Sequence, residues 1–478
     1  MRGDVPTGER EDAVAPSDVA RQRFAGKRVA VVGLAREGLS LVRFLARAGA
    51  LVTANDRSVD LPRASQEVLE ELAVPAVLGG HPADLFLESD VVFVSPGVPQ
   101  GLDPLVRARE AGVAFSSETQ LFFELCRGRI VGITGSSGKT TTTALTGEMF
   151  RRAGLPVHVG GNIGKPLIES VDEIAPDDWV VLEMSSFQLE TLPYSPPLAA
   201  ILNITPNHLD RHAGMDAYAA AKQNMVRYQG KGDKAVLNAD DARCRSIPTA
   251  NPPIWFSIER EVDGSYLREG FVVVSSEGGT AEVCPAGEVQ LRGRHNLANV
   301  VAAVAVASGA GLAVEPMRAA IRDFTGVPHR LEMVAQIGGV EYCNDSIATS
   351  PERAIASLHA FESPVVLIAG GRNKKLPMAE WGKLIRERVR ALILMGEATE
   401  EIERAVVDAP GGVLPPIRRA GSMGEAVALA AGMAVPGDVV LLAPGCTSFD
   451  MFKDFEERGE LFRDAVGLLA EHGMGVES

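Results

Sequence analysis

Cysteine is scarce in this chain. Five thiols (Cys126, Cys244, Cys284, Cys343 and Cys446) are scattered over 478 residues, and no two of them form a Cys-x-x-Cys pair. That spacing argues against a disulfide or zinc framework and leaves reduced, mostly buried thiols. No stretch reaches the length of an uncharged membrane span. Residues 1–25 mix acids and bases with Pro and Gly and lack the apolar core of a secretion signal. Residues 1–26 therefore read as a disordered tail, and the chain as a cytoplasmic protein. Basic residues are also in deficit, 47 Lys plus Arg against 62 Asp plus Glu, for a net charge of −15. Broad binding to nucleic acid or to an anionic membrane is not expected, although a local basic pocket for a phosphorylated ligand is compatible with that balance. No repeat of solenoid period occurs.

What is present, 46% hydrophobic and 23% charged residues, describes a globular chain with core enough for about three domains. The expected fold class is α/β throughout, in three parts. The first part, residues 27–127, opens with the apolar run Val29–Val32, a buried parallel strand. Gly33-Leu34-Ala35-Arg36-Glu37-Gly38 follows, then an amphipathic stretch and a second strand ending at Asp56. This is a Rossmann-like layout with Ala35 in place of the second glycine, and it marks either a dinucleotide site or only a tight turn. Ser95-Pro96-Gly97 closes another strand on the side where open α/β sheets bind ligands.

The second part, residues 128–328, begins with a strand at Ile130–Ile133 and then Thr134-Gly135-Ser136-Ser137-Gly138-Lys139-Thr140-Thr141. A strand, a glycine turn and a helix start make a phosphate cradle, with backbone N–H groups and the positive helix end facing the anion. Lys139 adds charge and Thr140 offers a hydroxyl to Mg²⁺. The general phosphate loop has glycine at position 134, where this chain has threonine. Glu183 ends a further strand, where a carboxylate either holds Mg²⁺ or is plain surface. His208 follows a buried strand in a cluster with Asp210 and Arg211, which favours an active-site role. Lys222, on a helix, reads from sequence alone as a solvated charge. Asn162, in Gly160-Gly161-Asn162-Ile163-Gly164, either bonds a substrate or caps the turn. Short β-prone runs over residues 233–288 predict a small antiparallel sheet.

The third part, residues 329–478, has strands at Val365–Ile368, Leu392–Met395 and Val439–Leu442, each running into a Gly- or Pro-containing loop. A second Rossmann-like sheet is expected. His329-Arg330 either meets a nucleotide or links domains. Asp345-Ser346 either orients a nucleotide or starts a turn. Lys374, after two glycines, either receives a carboxylate or lies on an exposed loop.

Taken in order, TGSSGKTTT (134–142), GGNIGKP (160–166), LEMSSFQLE (182–190), NITPNHLDRH (203–212), AAAK (219–222), GRHNLANVVAA (293–303), GVPHRLE (326–332), NDSIATSP (344–351), AGGRNKK (369–375) and LLAPGCTSFDMFKDFEERG (441–459) resemble the Mur ligase family. The likeness runs from Lys27 almost to the end, and the segments at 185–190 and 448–459 point to its D-glutamate-adding branch. The resemblance implies an ATP-dependent acid–amino-acid ligase that joins D-glutamate to UDP-N-acetylmuramoyl-L-alanine, as a monomer. It implies that Arg36, Glu37, Asp56, Arg57, Ser95, Gly97 and Asn162 serve the uridine nucleotide substrate. Ser136, Ser137, Gly138, Lys139, Thr140, Thr141, Thr142, Asn299, Arg330 and Asp345 would serve ATP. Thr140 and Glu183 would hold one Mg²⁺, and His208 a second together with Lys222, which the family carbamylates. Thr349, Lys374, Ser448, Phe449 and Phe455 would surround the glutamate. Ile347 departs from the pattern, since the family often carries lysine there. Rival readings are a sibling amino-acid ligase, a folylpolyglutamate synthase, a nucleotide switch and a dehydrogenase.

Overall fold

The computed structural model of the chain describes residues 14–164, 166–206, 212–276, 279–291, 293–374 and 376–473. It divides into two compact units, Met1–Phe324 and Thr325–Ser478. The first unit carries two sheets. In the first sheet, β1 (Arg28–Val32), β2 (Leu51–Asp56), β3 (Ala76–Leu78), β4 (Val91–Val94) and β5 (Ala114–Ser116) run parallel in the order β3-β2-β1-β4-β5. The chain crosses over between β1 and β4, which leaves a crevice at their carboxyl ends.

The second sheet has nine strands: β6 (Arg129–Thr134), β7 (Val157–Gly161), β8 (Trp179–Glu183), β9 (Leu198–Ile201), β10 (Lys234–Asn238), β11 (Ile254–Ser257), β12 (Gly264–Arg268), β13 (Phe271–Ser276) and β14 (Gly279–Pro285). Their order is β14-β13-β12-β11-β10-β9-β6-β8-β7. Only β12–β13 and β13–β14 are antiparallel. The β-prone runs over residues 233–288 extend the second sheet: β10 pairs parallel to β9 and β11 parallel to β10, and β12–β14 add the antiparallel part at its edge.

One expectation needs correction. The chain from Pro16 to Phe24 is a helix and not a tail. Pro16 opens it at a position that needs no N–H. Ala20 and Phe24, one turn apart, are fully buried, and the Phe24 ring meets Phe93 edge-on at 5.8 Å. The first two sheets share apolar packing: one cluster runs from Val31 and Leu45 through Leu121 to Ile174 and Ile201, while Phe86 and Val92 belong to a second cluster on the first sheet and Val131 and Leu145 to another on the second.

The second unit holds β15 (Glu332–Ile337), β16 (Val340–Asn344), β17 (Val365–Gly370), β18 (Val389–Met395), β19 (Ile417–Arg419) and β20 (Val439–Gly445), in the order β15-β16-β20-β17-β18-β19. All but the β15–β16 pair are parallel. Among the described residues, no helix is long and apolar enough to cross a membrane.

Candidate functional site

β6 ends at Thr134, and the helix Lys139–Arg152 begins after four intervening residues. The turn between them needs Gly138, whose φ is +80° and whose Cβ would lie 2.1 Å from Asn299 Oδ1. Asn299, itself held by Asn296 at 3.0 Å, thus packs directly against the loop. Thr134, where the general loop has glycine, is completely buried and donates its hydroxyl to the Met184 carbonyl at 2.7 Å. The threonine therefore ties the end of β6 to the chain leaving β8. The Ser136 hydroxyl donates to Thr205 O at 2.9 Å and accepts from Tyr218 at 3.0 Å, while the Ser137 N–H donates to Asn203 Oδ1 at 2.9 Å. Thr141 is half-buried and Thr142 fully buried, so neither hydroxyl is presented openly.

Glu183 leaves β8 almost entirely buried, at 2% exposure. One carboxylate oxygen accepts from the Thr140 hydroxyl at 2.7 Å and the other from the Asn162 amide at 2.7 Å. Across the loop, Lys139 and Lys222 both donate to the Gly135 carbonyl, at 3.1 and 2.8 Å. Lys222 is 1% exposed, with its ammonium 4.8 Å from the Tyr218 ring centre. Burial first and the Lys139 charge second pull its pKa down to about 7, and Glu183 draws it partly back. The sequence reading of Lys222 as a solvated charge is overturned. It is a buried amine with a substantial neutral fraction near neutral pH.

Hard oxygen donors from one carboxylate and one hydroxyl beside a phosphate cradle suit Mg²⁺, which takes few protein ligands and completes its shell with water and phosphate. Among the described residues no group of three or more His, Cys, Asp or Glu forms a metal cluster. His208, with Asp210 and Arg211, lies outside the described residues. The neighbouring His212 is buried, stacked on Phe187 at 4.9 Å and bonded to Ser186 at 3.0 Å.

At the first sheet's crevice, Gly38 must be glycine because a Cβ there would sit 1.9 Å from the Gly33 carbonyl. The Asp56 carboxylate accepts from the Leu34 and Ser58 N–H groups at 2.8 and 2.9 Å, and Ser95 donates to Gly33 O at 2.7 Å. Both side chains build the turn. Arg57 and Gly97 are exposed at its rim. Arg36 and Glu37 reach away from it: Arg36 donates to Gly164 O and Asn162 O at 2.7 and 3.1 Å, and Glu37 accepts from Gln188 at 2.8 Å. Burial raises Glu37 to about 7, and the fully buried Glu118 beside it is also raised, by burial first and Glu37 second. Glu118 escaped sequence analysis, as 81 positions separate it from its partner and nothing in its own neighbourhood marks it.

In the second unit, Asp345 is 5% exposed; it accepts from the Leu331 N–H at 3.0 Å and from the Ser357 hydroxyl. Burial raises its pKa, and Arg330 and Arg353 lower it in part. His329 is packed against Asn344 at 3.1 Å. Ser448 is buried, Phe455 and Thr349 are half-buried, Lys374 is exposed and Phe449 is 58% exposed. Two arginines went unnoticed in the sequence. Arg353 donates to Ile347 O at 3.3 Å, and its charge reaches both Asp345 and Lys374. Arg458 is 1% exposed and binds Ser346 Oγ, Ser346 O and Cys446 O at 2.9, 2.7 and 3.2 Å. It cross-links the loops that follow β16 and β20.

The chain matches the Mur ligase MurD-like N-terminal domain over residues 27–117, the Mur ligase middle domain over 133–307 and the Mur ligase glutamate ligase domain over 329–446. It is 44% identical to the UDP-N-acetylmuramoylalanine–D-glutamate ligase of Symbiobacterium thermophilum, covering 93% of this chain and 98% of that one. The enzyme of the same name from Pelotomaculum thermopropionicum is likewise 44% identical over 93% and 98%. Among solved structures, UDP-N-acetylmuramate-alanine ligase MurC from Thermotoga maritima shares the fold, with a TM-score of 0.54 at 17% identity over 93% of this chain and 100% of that one. The MurF ligase of the same organism, in complex with ADP, gives 0.50 at 17% identity over 94% and 97%.

Proposed function

The chain belongs to the Mur ligase family, among its UDP-N-acetylmuramoylalanine–D-glutamate ligases, and from that premise we propose how its residues divide the work of joining D-glutamate to UDP-N-acetylmuramoyl-L-alanine with cleavage of ATP. The observation that carries the reading is the buried Glu183 carboxylate, held by Thr140 of the phosphate loop on one side and Asn162 on the other, beside Lys139 and the buried Lys222.

The turn at Gly33–Gly38, built by Asp56 and Ser95 and rimmed by Arg57 and Gly97, takes the uridine diphosphate, and Asn162 lies between it and the reacting end. Ser136, Ser137, Gly138 and Thr141 offer backbone N–H groups and hydroxyls to the ATP phosphates, with Asn299, Arg330 and Asp345 serving the rest of the nucleotide. Lys139 stands against the terminal phosphates. Its charge neutralises what builds up as the alanyl carboxylate attacks the γ-phosphorus and ADP leaves. Thr140 and Glu183 are the residues that would hold Mg²⁺, which when bound would offset the charge of the phosphates.

Lys222 has the low basicity that carbamate formation requires, because only a free amine adds CO₂. A carbamate there would supply oxygen ligands, and His208 a ring nitrogen, to a second Mg²⁺. The acyl phosphate so formed is then attacked by the free amine of D-glutamate. An amide remains and inorganic phosphate departs. Thr349, Lys374, Ser448, Phe449 and Phe455 receive the amino acid. Arg353 supplies near Ile347 the positive charge that an apolar side chain there lacks.

The deciding experiment uses the purified chain with ATP, Mg²⁺ and UDP-N-acetylmuramoyl-L-alanine labelled with ¹⁸O in its alanyl carboxylate. The expected result is D-glutamate-dependent product, identified by mass, with one label in the released phosphate. Product without label transfer refutes the acyl phosphate, and equal use of L-glutamate refutes the amino-acid assignment.

A further inference from the structure

Arg36 and Glu37 open the helix Arg36–Arg47 at the end of the sugar-nucleotide turn, yet their side chains serve the other sheet. Arg36 holds two carbonyls of the loop that follows β7, at Asn162 and Gly164. Glu37 holds Gln188, the residue that closes a capping box with Ser185 in the loop that follows β8. Those two loops flank Glu183. Asn162, whose carbonyl Arg36 grips, places its amide on the Glu183 carboxylate at 2.7 Å and its own N–H on the Glu183 carbonyl at 2.8 Å. The path from the turn to the carboxylate is therefore an unbroken chain of three hydrogen-bonded residues, Arg36, Asn162 and Glu183.

We propose that Arg36 and Glu37 are positioning residues that couple occupancy of the uridine-nucleotide turn to the geometry of the ATP pocket. The inference rests on the substrate assignments made above. A diphosphate bound at the turn fixes the backbone of residues 33–37. The two side chains pass that constraint to both loops, and Glu183 meets its ligand already oriented. Ordering done by the first ligand does not have to be done by the second, so each tightens the other, and linkage requires the effect to be equal in both directions.

The test is a calorimetric binding cycle on the full chain with a non-hydrolysable ATP analogue plus Mg²⁺, with and without UDP-N-acetylmuramoyl-L-alanine. The unaltered protein is expected to bind the analogue about tenfold more tightly when the sugar nucleotide is present. Glu37→Ala is expected to reduce that factor below about twofold while each ligand, added alone, still binds. Arg36→Gln, at an exposed position that puts folding at no risk, does the same to the factor even if it also weakens the sugar nucleotide alone. A residue with a purely structural role would lower stability or single-ligand affinity and leave the ratio intact. An unchanged factor in both variants, or a factor of one in the unaltered protein with both ligands bound, overturns the coupling and spares the site assignment. Failure of the unaltered protein to bind the sugar nucleotide at all overturns both.

Discussion

Around Glu183 in the second sheet, the charged candidates are buried, bonded and mutually constrained, whereas in the third sheet's loops two of the candidates for the amino acid, Lys374 and Phe449, are presented to solvent. Glu183 and Lys222 are 2% and 1% exposed and each has fixed partners. Lys374 is exposed and Phe449 is 58% exposed. The first arrangement suits charge chemistry, because preorganised groups in a dry pocket act on a phosphoryl group without first reorganising. The second suits selection, since its residues have few internal bonds to break before they engage a ligand. Beneath those loops, Arg458 supplies the rigidity that the exposed residues lack.

The contrast is broken most severely at Lys139. Lys139→Ala should lower product formation by about 10³-fold with the circular dichroism spectrum unchanged; near-normal turnover would remove the loop from the chemistry. Next comes Lys222. Lys222→Ala should be nearly inactive and largely restored by short carboxylic acids, while Lys222→Met should be inactive yet melt about 2–4 °C higher at neutral pH. The sign follows from its pKa of about 7 against the ordinary 10.5. The fold resists the ammonium, so the unmodified lysine costs most stability below about pH 7, and that cost is relieved as pH rises toward 10.5. Activity dependent on added bicarbonate should fall as pH drops below 7.

On the exposed side, Arg353→Ala should raise KM for D-glutamate about tenfold and leave KM for ATP and the melting temperature unaltered. A change confined to ATP would place Arg353 with the nucleotide. The smallest effect concerns Glu118, whose raised carboxyl stabilises the fold in its protonated form below its unfolded value of about 4.5 and loses that contribution as pH rises. Glu118→Gln should therefore melt about 2–4 °C above the unaltered protein at pH 8, with the difference vanishing near pH 4.5.

Much of this was legible in the sequence where one strand or one turn carries the signal. The apolar runs of β1, β6, β17 and β20 stand where they were expected, and so do the glycine turns that follow them. Features created by juxtaposition were not legible. Lys222 is an ordinary helical lysine until the phosphate loop packs over it, and Thr134 is only a departure from the general loop until its hydroxyl meets Met184 O. Arg458 defies composition rules, because a guanidinium is seldom almost fully buried. The helix Pro16–Phe24 was missed because just three of its nine residues, Pro16, Ala20 and Phe24, are buried.

That short helix has a practical consequence. A gene trimmed to begin at Lys27, where recognisable domain similarity starts, would strip the lid from Phe93 and bare a greasy face of the first sheet. Losing the Phe24 ring alone forfeits about 3–5 kcal/mol, a large share of what keeps a protein folded. Expression would then yield inclusion bodies rather than enzyme, so cloning boundaries belong upstream of Ala15.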